Sequence, residues 1–363
     1  VSVKPENSKG SGGGAAATKV QETAQCVYAA MRYYCGDVKN FTIDDFKCGM
    51  KYTDAPGVKI EEIMEMSKEW KESSWAGANE IYSKIGGTGW KFVRGDAMID
   101  DGAVKNAFNR VKKQTILSSE DKWNPADIWM VKDESKVKQH LDKEVTIDCL
   151  NNALQQLRAD GQLVGISLKK IEGSPKMTLK NADDAKTRRN NEKAKFAKYD
   201  LTFDNGRRSD NHPMDVYLYY GEGNFDKFQA RNFGGESKGD WKLELKGKSA
   251  AQGKIQGKVL RDLISNIVSG SVPKEADWSK CAGNEYDKEI FDLLKKYNAK
   301  GFNEETAMEF IADAKQAWKY SKLSGLRLLD WMSNHTKKDQ IMKEIYLYAS
   351  SQSDKSSVYW KLQ

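Results

Sequence analysis

The stretch "WNPADIW", Trp123–Trp129, sets a proline and a carboxylate at the mouth of an apolar run, and "GISLKK", Gly165–Lys170, later ends a second such run on lysines. Proline cannot donate to a β ladder, so Pro125 suits the beginning of a strand. Two-residue alternation then puts Ile128 and Met130 on one face, and Asp127 and Trp129 on the other. In the second run Val164, Ile166 and Leu168 share one face while Ser167 and Lys169 share the opposite one. If these strands are neighbours, Asp127, Ser167 and Lys169 meet on one side of a sheet. A carboxylate there can hold a hard cation. A lysine can orient or deprotonate a water, or stabilise charge on a phosphate. Together these are the parts of phosphodiester hydrolysis. Each residue also has a plainer reading, Asp127 as a turn residue at a strand start and Lys169 as a solvated strand end.

The flanking sequence predicts a mixed fold. Residues 5–16, "PENSKGSGGGAA", read as a flexible arm. A helix is expected next, with Val20, Ala24, Val27 and Met31 on one face at spacings of three and four. "KIEEIMEMSKEWKE" and "ANEIYSKIG" read as two further helices, the latter ending at Gly86-Gly87. "TIDCLNNALQQLRADGQ" is helical by its Ile147, Leu150, Leu154, Leu157 spacing and stops at Gly161. "KYDLTF", "DVYLYYG" and "WKLELKG" are strand candidates. The chain after Pro273 is helical, with "SVYWKLQ" suited to a last strand. Helices flanking a block of strands give a mixed α/β class. The polar stretch at 180–195 and the break near 270 are the candidate boundaries. The expected division is an arm over 1–16, an α/β core over 17–270 and a mostly helical remainder over 271–363.

Composition limits the chemistry. With 59 Lys+Arg against 52 Asp+Glu, the net charge of +7 permits a polyanionic partner without requiring one. No apolar run approaches the roughly 20 residues that cross a bilayer, and residues 1–19 carry no apolar segment of signal-peptide type, so no membrane partner is expected. Five scattered cysteines without a CxxC suggest free thiols in a reducing, cytoplasmic setting. Three histidines are too few for a His-rich metal site, so a cation would be a hard one held by oxygens.

"P-A-D" followed by "S-L-K" resembles the signature of the PD-(D/E)xK restriction-endonuclease-like nucleases. The resemblance spans residues 17–260. It implies a central sheet flanked by helices, DNA as partner, and one or two Mg²⁺ (or Mn²⁺) ions. Asp127 would bind metal, Lys169 would act on water or phosphate, and Ser167 would occupy the place where an acid is usual. A Ser-x-Lys version exists in that superfamily and recruits a carboxylate from elsewhere. Glu22 in the first helix resembles the early-helix glutamate, with Glu80 and Glu172 as competitors. "NPADIW" and "GISLKK" are also similar to phrases in uncharacterised proteins of large tailed phages, virion components among them. That leaves open a structural role in a particle, beside other phage proteins, for a fold that has lost catalysis.

A second arrangement of the same kind lies downstream, with Pro213 and Asp215 followed by Glu244-x-Lys246, here carrying the orthodox acid. Trp241, Leu243 and Leu245 alternate with Lys242, Glu244 and Lys246, however, as in any half-exposed strand. "KGKSAAQGKIQGKVLR" threads Lys246, Lys248, Lys254, Lys258 and Arg261 through small residues ahead of a helix. With Lys170 these are the candidate phosphate contacts, because glycines and a helix start favour anions. No P-loop, nucleophile elbow or His-Glu-x-x-His motif is present.

Overall fold

The computed structural model describes residues 14–36, 38, 40–95, 99, 102–117, 119–171, 173–203, 216–246 and 253–363. The chain forms two compact units, residues 1–188 with 354–363, and residues 189–353. The elements of the first, in chain order, are α1 (Ala15–Tyr34), α2 (Ile43–Met50), β1 (Thr53–Asp54), α3 (Ile60–Met64), α4 (Lys68–Ile85), β2 (Lys91–Arg94), α5 (Ala103–Val111), α6 (Glu120–Trp123), β3 (Ile128–Val131), α7 (Glu134–Leu141), α8 (Ile147–Ala159), β4 (Leu163–Leu168) and β5 (Met177–Lys180). Helix α9 (Ala185–Asn191) carries the chain across the division. The second unit holds β6 (Lys198–Leu201), β7 (Val216–Tyr219), β8 (Lys227–Asn232), β9 (Trp241–Leu245), β10 (Lys254–Gln256), α10 (Gly257–Ser265), α11 (Asp287–Lys296), α12 (Glu304–Asp313), α13 (Gln316–Asn334) and α14 (Lys338–Ala349). The last strand, β11 (Tyr359–Leu362), belongs to the first unit.

The first sheet runs β1-β2-β3-β4-β11-β5. Strands β2, β3 and β4 are successive antiparallel neighbours, and β11 lies parallel to β4. Ile128, Met130, Val164 and Ile166 pack into one core with Ala24, Val27 and Met31 of α1. The alternate residues Val93, Trp129, Val131 and Leu163 are buried as well. Both faces are therefore covered, which explains why these strands are nearly continuous apolar runs. Gly165 is required in β4, since a Cβ there would lie 2.8 Å from the Trp129 ring and 2.9 Å from Ala126 Cβ.

Local chemistry sets the helix boundaries. Ser67 accepts from Trp70 N and starts α4, so "IEEIM" and "KEWKE" form two helices. "ANEIYSKI" is the second half of α4, which ends at Gly86 (φ +56°).

The mixed α/β class holds, but the division differs from a core ending near 270. Strands β6–β10 form a separate five-stranded antiparallel sheet in the order β10-β9-β8-β7-β6. Helix α13 lies on it so closely that a Cβ at Gly325 would come 3.1 Å from both Ala230 and Val216. These strands thus share a core with the helices that follow them, while β11 returns to the first sheet.

The expectation of five free thiols is also corrected. Cys35, which caps α1, is disulfide-bonded to Cys48 of α2, with Cα atoms 6.0 Å apart. Gly49 lets α2 approach α1, because a Cβ there would sit 2.7 Å from Met31 Cγ and Val27 O. Cys26, Cys149 and Cys281 are free. The bond closes a short loop, so reduction is expected to lower the stability of the first unit by about 3 kcal/mol. Thermal melts with and without a phosphine reductant measure this. The effect should vanish in Cys35→Ser, and a reductant-insensitive wild type would refute it. No helix among the described residues is long and apolar enough to cross a membrane.

Candidate active site

Asp127 precedes β3 and is held in the sheet from both sides. Its N–H donates to Ile166 O at 2.9 Å, and its carbonyl accepts from Gly95 N at 3.0 Å. The carboxylate turns toward the end of β4, where Oδ2 accepts from Leu168 N at 2.6 Å and from Ser167 Oγ at 3.4 Å. Lys169 continues β4 and donates its N–H to Leu362 O of β11 at 2.9 Å. The two sequence stretches are therefore paired, Ile128 opposite Ile166.

Asp127 and Lys169 open into a cleft of about 190 Å³ that is also lined by Thr18, Gln21, Glu22 and Gln25 of α1 and by Trp70, Ser73 and Ser74 of α4. Glu22 thus stands in the cleft with Asp127 and Lys169. The α1 residues follow the spacing i, i+3, i+4, i+7 and form a polar stripe on a helix otherwise buried from Thr23 to Met31. Gln25 Nε2 donates to Ser74 O at 3.0 Å, tying α1 to α4 behind the cleft.

The other expected residues divide. Ser167 is buried and does not line the cleft; it supports Asp127 from behind. Glu80 lies outside it, because its Oε1 accepts Met177 N at 3.1 Å at the start of β5. Glu172 lies outside the described residues. Lys170 is at the cleft, paired with Glu69 at 2.6 Å and 5.6 Å from the Trp70 ring centre. Two basic groups nearby were not singled out from sequence. Arg94, at the end of β2, donates to Thr23 Oγ1 and Pro56 O. Lys361 of β11 stands opposite Ser167 in register, its ammonium pushed down to about 8 by burial and by the charges of Lys169 and Lys180.

The downstream arrangement is not an open site. Asp215 lies outside the described residues. Glu244 is 2% exposed and boxed in by Lys246 (2.5 Å), Arg231 (3.3 Å) and Lys254 (4.0 Å). Three cations already balance its charge. Of the basic glycine loop, residues 247–252 lie outside the described residues. At the start of α10, a Cβ on Gly257 would run into the Glu275 carboxylate. Glu275 also accepts from Tyr320 Oη at 2.9 Å and lies 3.8 Å from Arg261. Lys258 is exposed on that helix, and Lys248 lies outside the described residues.

No family model, curated protein or solved structure matches this chain.

The electrostatics of the cleft follow from its burial. Glu22 is pushed up to about 7, first by desolvation and then by the Asp127 charge, against the pull of Arg94. Asp127 also rises, burial outweighing the Leu168 N–H, the Lys169 charge and the Ser167 hydroxyl. Folded Glu22 keeps a proton that the unfolded chain releases near 4.5. Stability is therefore expected to fall as pH rises from about 4.5 to about 7. The size is of order 1 kcal/mol, because the side chain is partly exposed and water screens the repulsion. Urea melts of metal-free protein across this range measure it. Glu22→Gln should flatten the curve, and an equal slope in both proteins would remove Glu22 as the cause.

Among the described residues, no group of three or more His, Cys, Asp or Glu side chains is placed to hold a metal ion. The cleft offers two carboxylates, Glu22 and Asp127, together with a lysine. Mg²⁺ is commonly held by one or two carboxylates with water and substrate oxygens completing the shell. Two desolvated carboxylates, the charge of Asp127 raising the proton affinity of Glu22, are a donor set a divalent cation would relieve.

Proposed function

We propose that the first unit is a Mg²⁺- or Mn²⁺-dependent deoxyribonuclease of the PD-(D/E)xK kind. The convergence of Glu22, Asp127 and Lys169 in one cleft carries this reading. An aspartate on one strand, a lysine at the end of the next and a glutamate on an early helix are the parts the resemblance implies. Asp127 and Glu22 would hold the cation. When bound, the cation offsets charge building on the phosphoryl oxygens. Leu168 N–H and Ser167 O–H keep the Asp127 carboxylate oriented. Lys169 lines the cleft beside Asp127, where its ammonium can pair with a phosphate or its free amine can take a proton from the attacking water. Lys170 and Trp70 give the same cleft a cation and an aromatic face for the DNA.

A second reading is favoured by one observation. Ser167 stands where an acid is usual, and it is spent on Asp127. A site with two carboxylates could bind DNA without cleaving it, as a component of a phage particle would. Linear, circular and single-stranded DNA incubated with Mg²⁺ or Mn²⁺ separates the two. Cleavage that disappears in Lys169→Ala with the fold intact supports the enzyme. Salt-sensitive binding without cleavage supports the binding protein. Recovery in assembled virions without cleavage or DNA affinity would end the nuclease reading.

A further inference from the structure

The second sheet has two unlike faces. Val216, Leu218, Phe228, Ala230, Leu243, Leu245 and Ile255 are buried, and Gly325 of α13 lies against Val216 and Ala230. The alternate residues make a continuous polar face. Across its centre the register runs Lys254, Glu244, Gln229, Tyr217, Asp200. One row along come Gln256, Lys242 and Arg231, and in the other direction Lys227, Tyr219 and Lys198. Neighbours in a row are one strand spacing apart, about 4.8 Å.

Six cations stand on this face, Lys198, Lys227, Arg231, Lys242, Lys246 and Lys254. They outnumber its carboxylates: Glu244 pairs with Lys246, Arg231 and Lys254, Asp240 with Lys242 at 2.9 Å, and Asp200 with Lys300 at 2.8 Å. Five of the six lie over aromatic rings of the same face. Arg231, Lys242 and Lys254 are 4.5, 5.2 and 4.4 Å from the centre of Phe233. Lys227 is 4.5 Å from that of Tyr217, and Lys198 is 4.9 Å from that of Tyr219. Phe233 and Tyr217 are half-buried, Tyr219 and Gln229 are buried, and Lys254 and Lys198 are exposed.

We infer that this face of the second sheet binds single-stranded nucleic acid. Cations pair with phosphates, and flat rings receive bases. A duplex hides its base faces within the stack, and an acidic peptide has none, so only an unpaired polynucleotide uses both features. Neither the cleft nor its activity enters into this inference. The cationic rows also explain a buried Glu244: its carboxylate fixes Lys246, Arg231 and Lys254 toward one another at the centre of the surface.

Anisotropy of a fluorescent oligothymidylate with the full chain, in EDTA and over a range of KCl, tests it. Affinity should fall with salt, and the double variant Lys227→Gln, Lys254→Gln should flatten the log–log slope by about 1.4, or about 0.7 per phosphate. Phe233→Leu should weaken binding about tenfold with the slope unchanged, because stacking rather than charge is removed. A duplex of the same length should bind more weakly. No binding, equal binding of duplex, or displacement by polyglutamate at equal charge would each overturn the inference. So would a Phe233→Leu and Tyr217→Leu pair that binds like wild type while the lysine variants lose affinity. Lys254→Gln changes an exposed position and keeps the test open if an aromatic variant misfolds. EDTA withholds the cation that cleavage would need, so absent cleavage and absent binding are separate failures.

Discussion

Asp127→Asn is expected to lower Mg²⁺-dependent DNA cleavage by about 10³-fold or more while leaving the melting temperature almost unchanged. An amide oxygen can still accept from Leu168 N, so the junction of β3 and β4 survives. What disappears is the negative charge that would hold the cation. Metal-centred charge stabilisation is worth several kcal/mol, and each 1.36 kcal/mol is about tenfold in rate. Lys169→Ala should cost about 10²–10⁴-fold, the range for a positioned proton-transfer group. Ser167→Ala should be milder, about tenfold, because Leu168 N–H still orients the carboxylate. Single-turnover cleavage across Mg²⁺ concentrations measures all three. If Asp127→Asn cleaves with the wild-type metal dependence, the cleft is not the site. If Ser167→Ala is as damaged as Asp127→Asn, the serine does more than hold its neighbour.

The largest stability effect should come from the second unit, at a pair remote from any proposed chemistry. Lys319 of α13 and Asp287 of α11 are 3% and 7% exposed in their side chains and 2.8 Å apart. The ammonium also donates to Ala312 O at 3.2 Å. Asp287→Ala leaves a buried cation with one carbonyl, which is expected to cost about 3–5 kcal/mol. For a unit of this size that is a fall in melting temperature of roughly 10 °C. The double variant Asp287→Leu, Lys319→Met removes both charges and fills their volume, so it should recover most of the loss. Calorimetry of the three proteins gives the comparison. A single variant within about 1 kcal/mol of wild type would mean that water reaches Lys319.

The parts of the site nearest one another in the chain's own logic were legible from sequence. Period-two alternation put Ile128, Met130, Val164 and Ile166 inward, and all four are in the core. Helical spacing put Ala24, Val27 and Met31 inward, which leaves Glu22 on the polar stripe of α1. Local pattern could not choose between Glu22 and Glu80. The choice depends on which face of α4 meets β5, where Glu80 meets the Met177 amide. The basic glycine loop read as an anion cradle because its own residues favour one. The carboxylate that lies against Gly257 at its end, Glu275, comes from beyond the next helix. Cys35 and Cys48 carry no spacing signature; they meet because Gly49 allows two helices to touch. In each miss, a long-range contact decided what a local pattern left open.

Strand β11 lies between β4 and β5, and Leu362 O receives the Lys169 amide. During synthesis, then, the ribosome must deliver the whole of residues 189–353 before the first sheet can gain its sixth strand. Until then β4 and β5 keep edges that only β11 will pair, an invitation to mispairing that lasts until the final residues arrive.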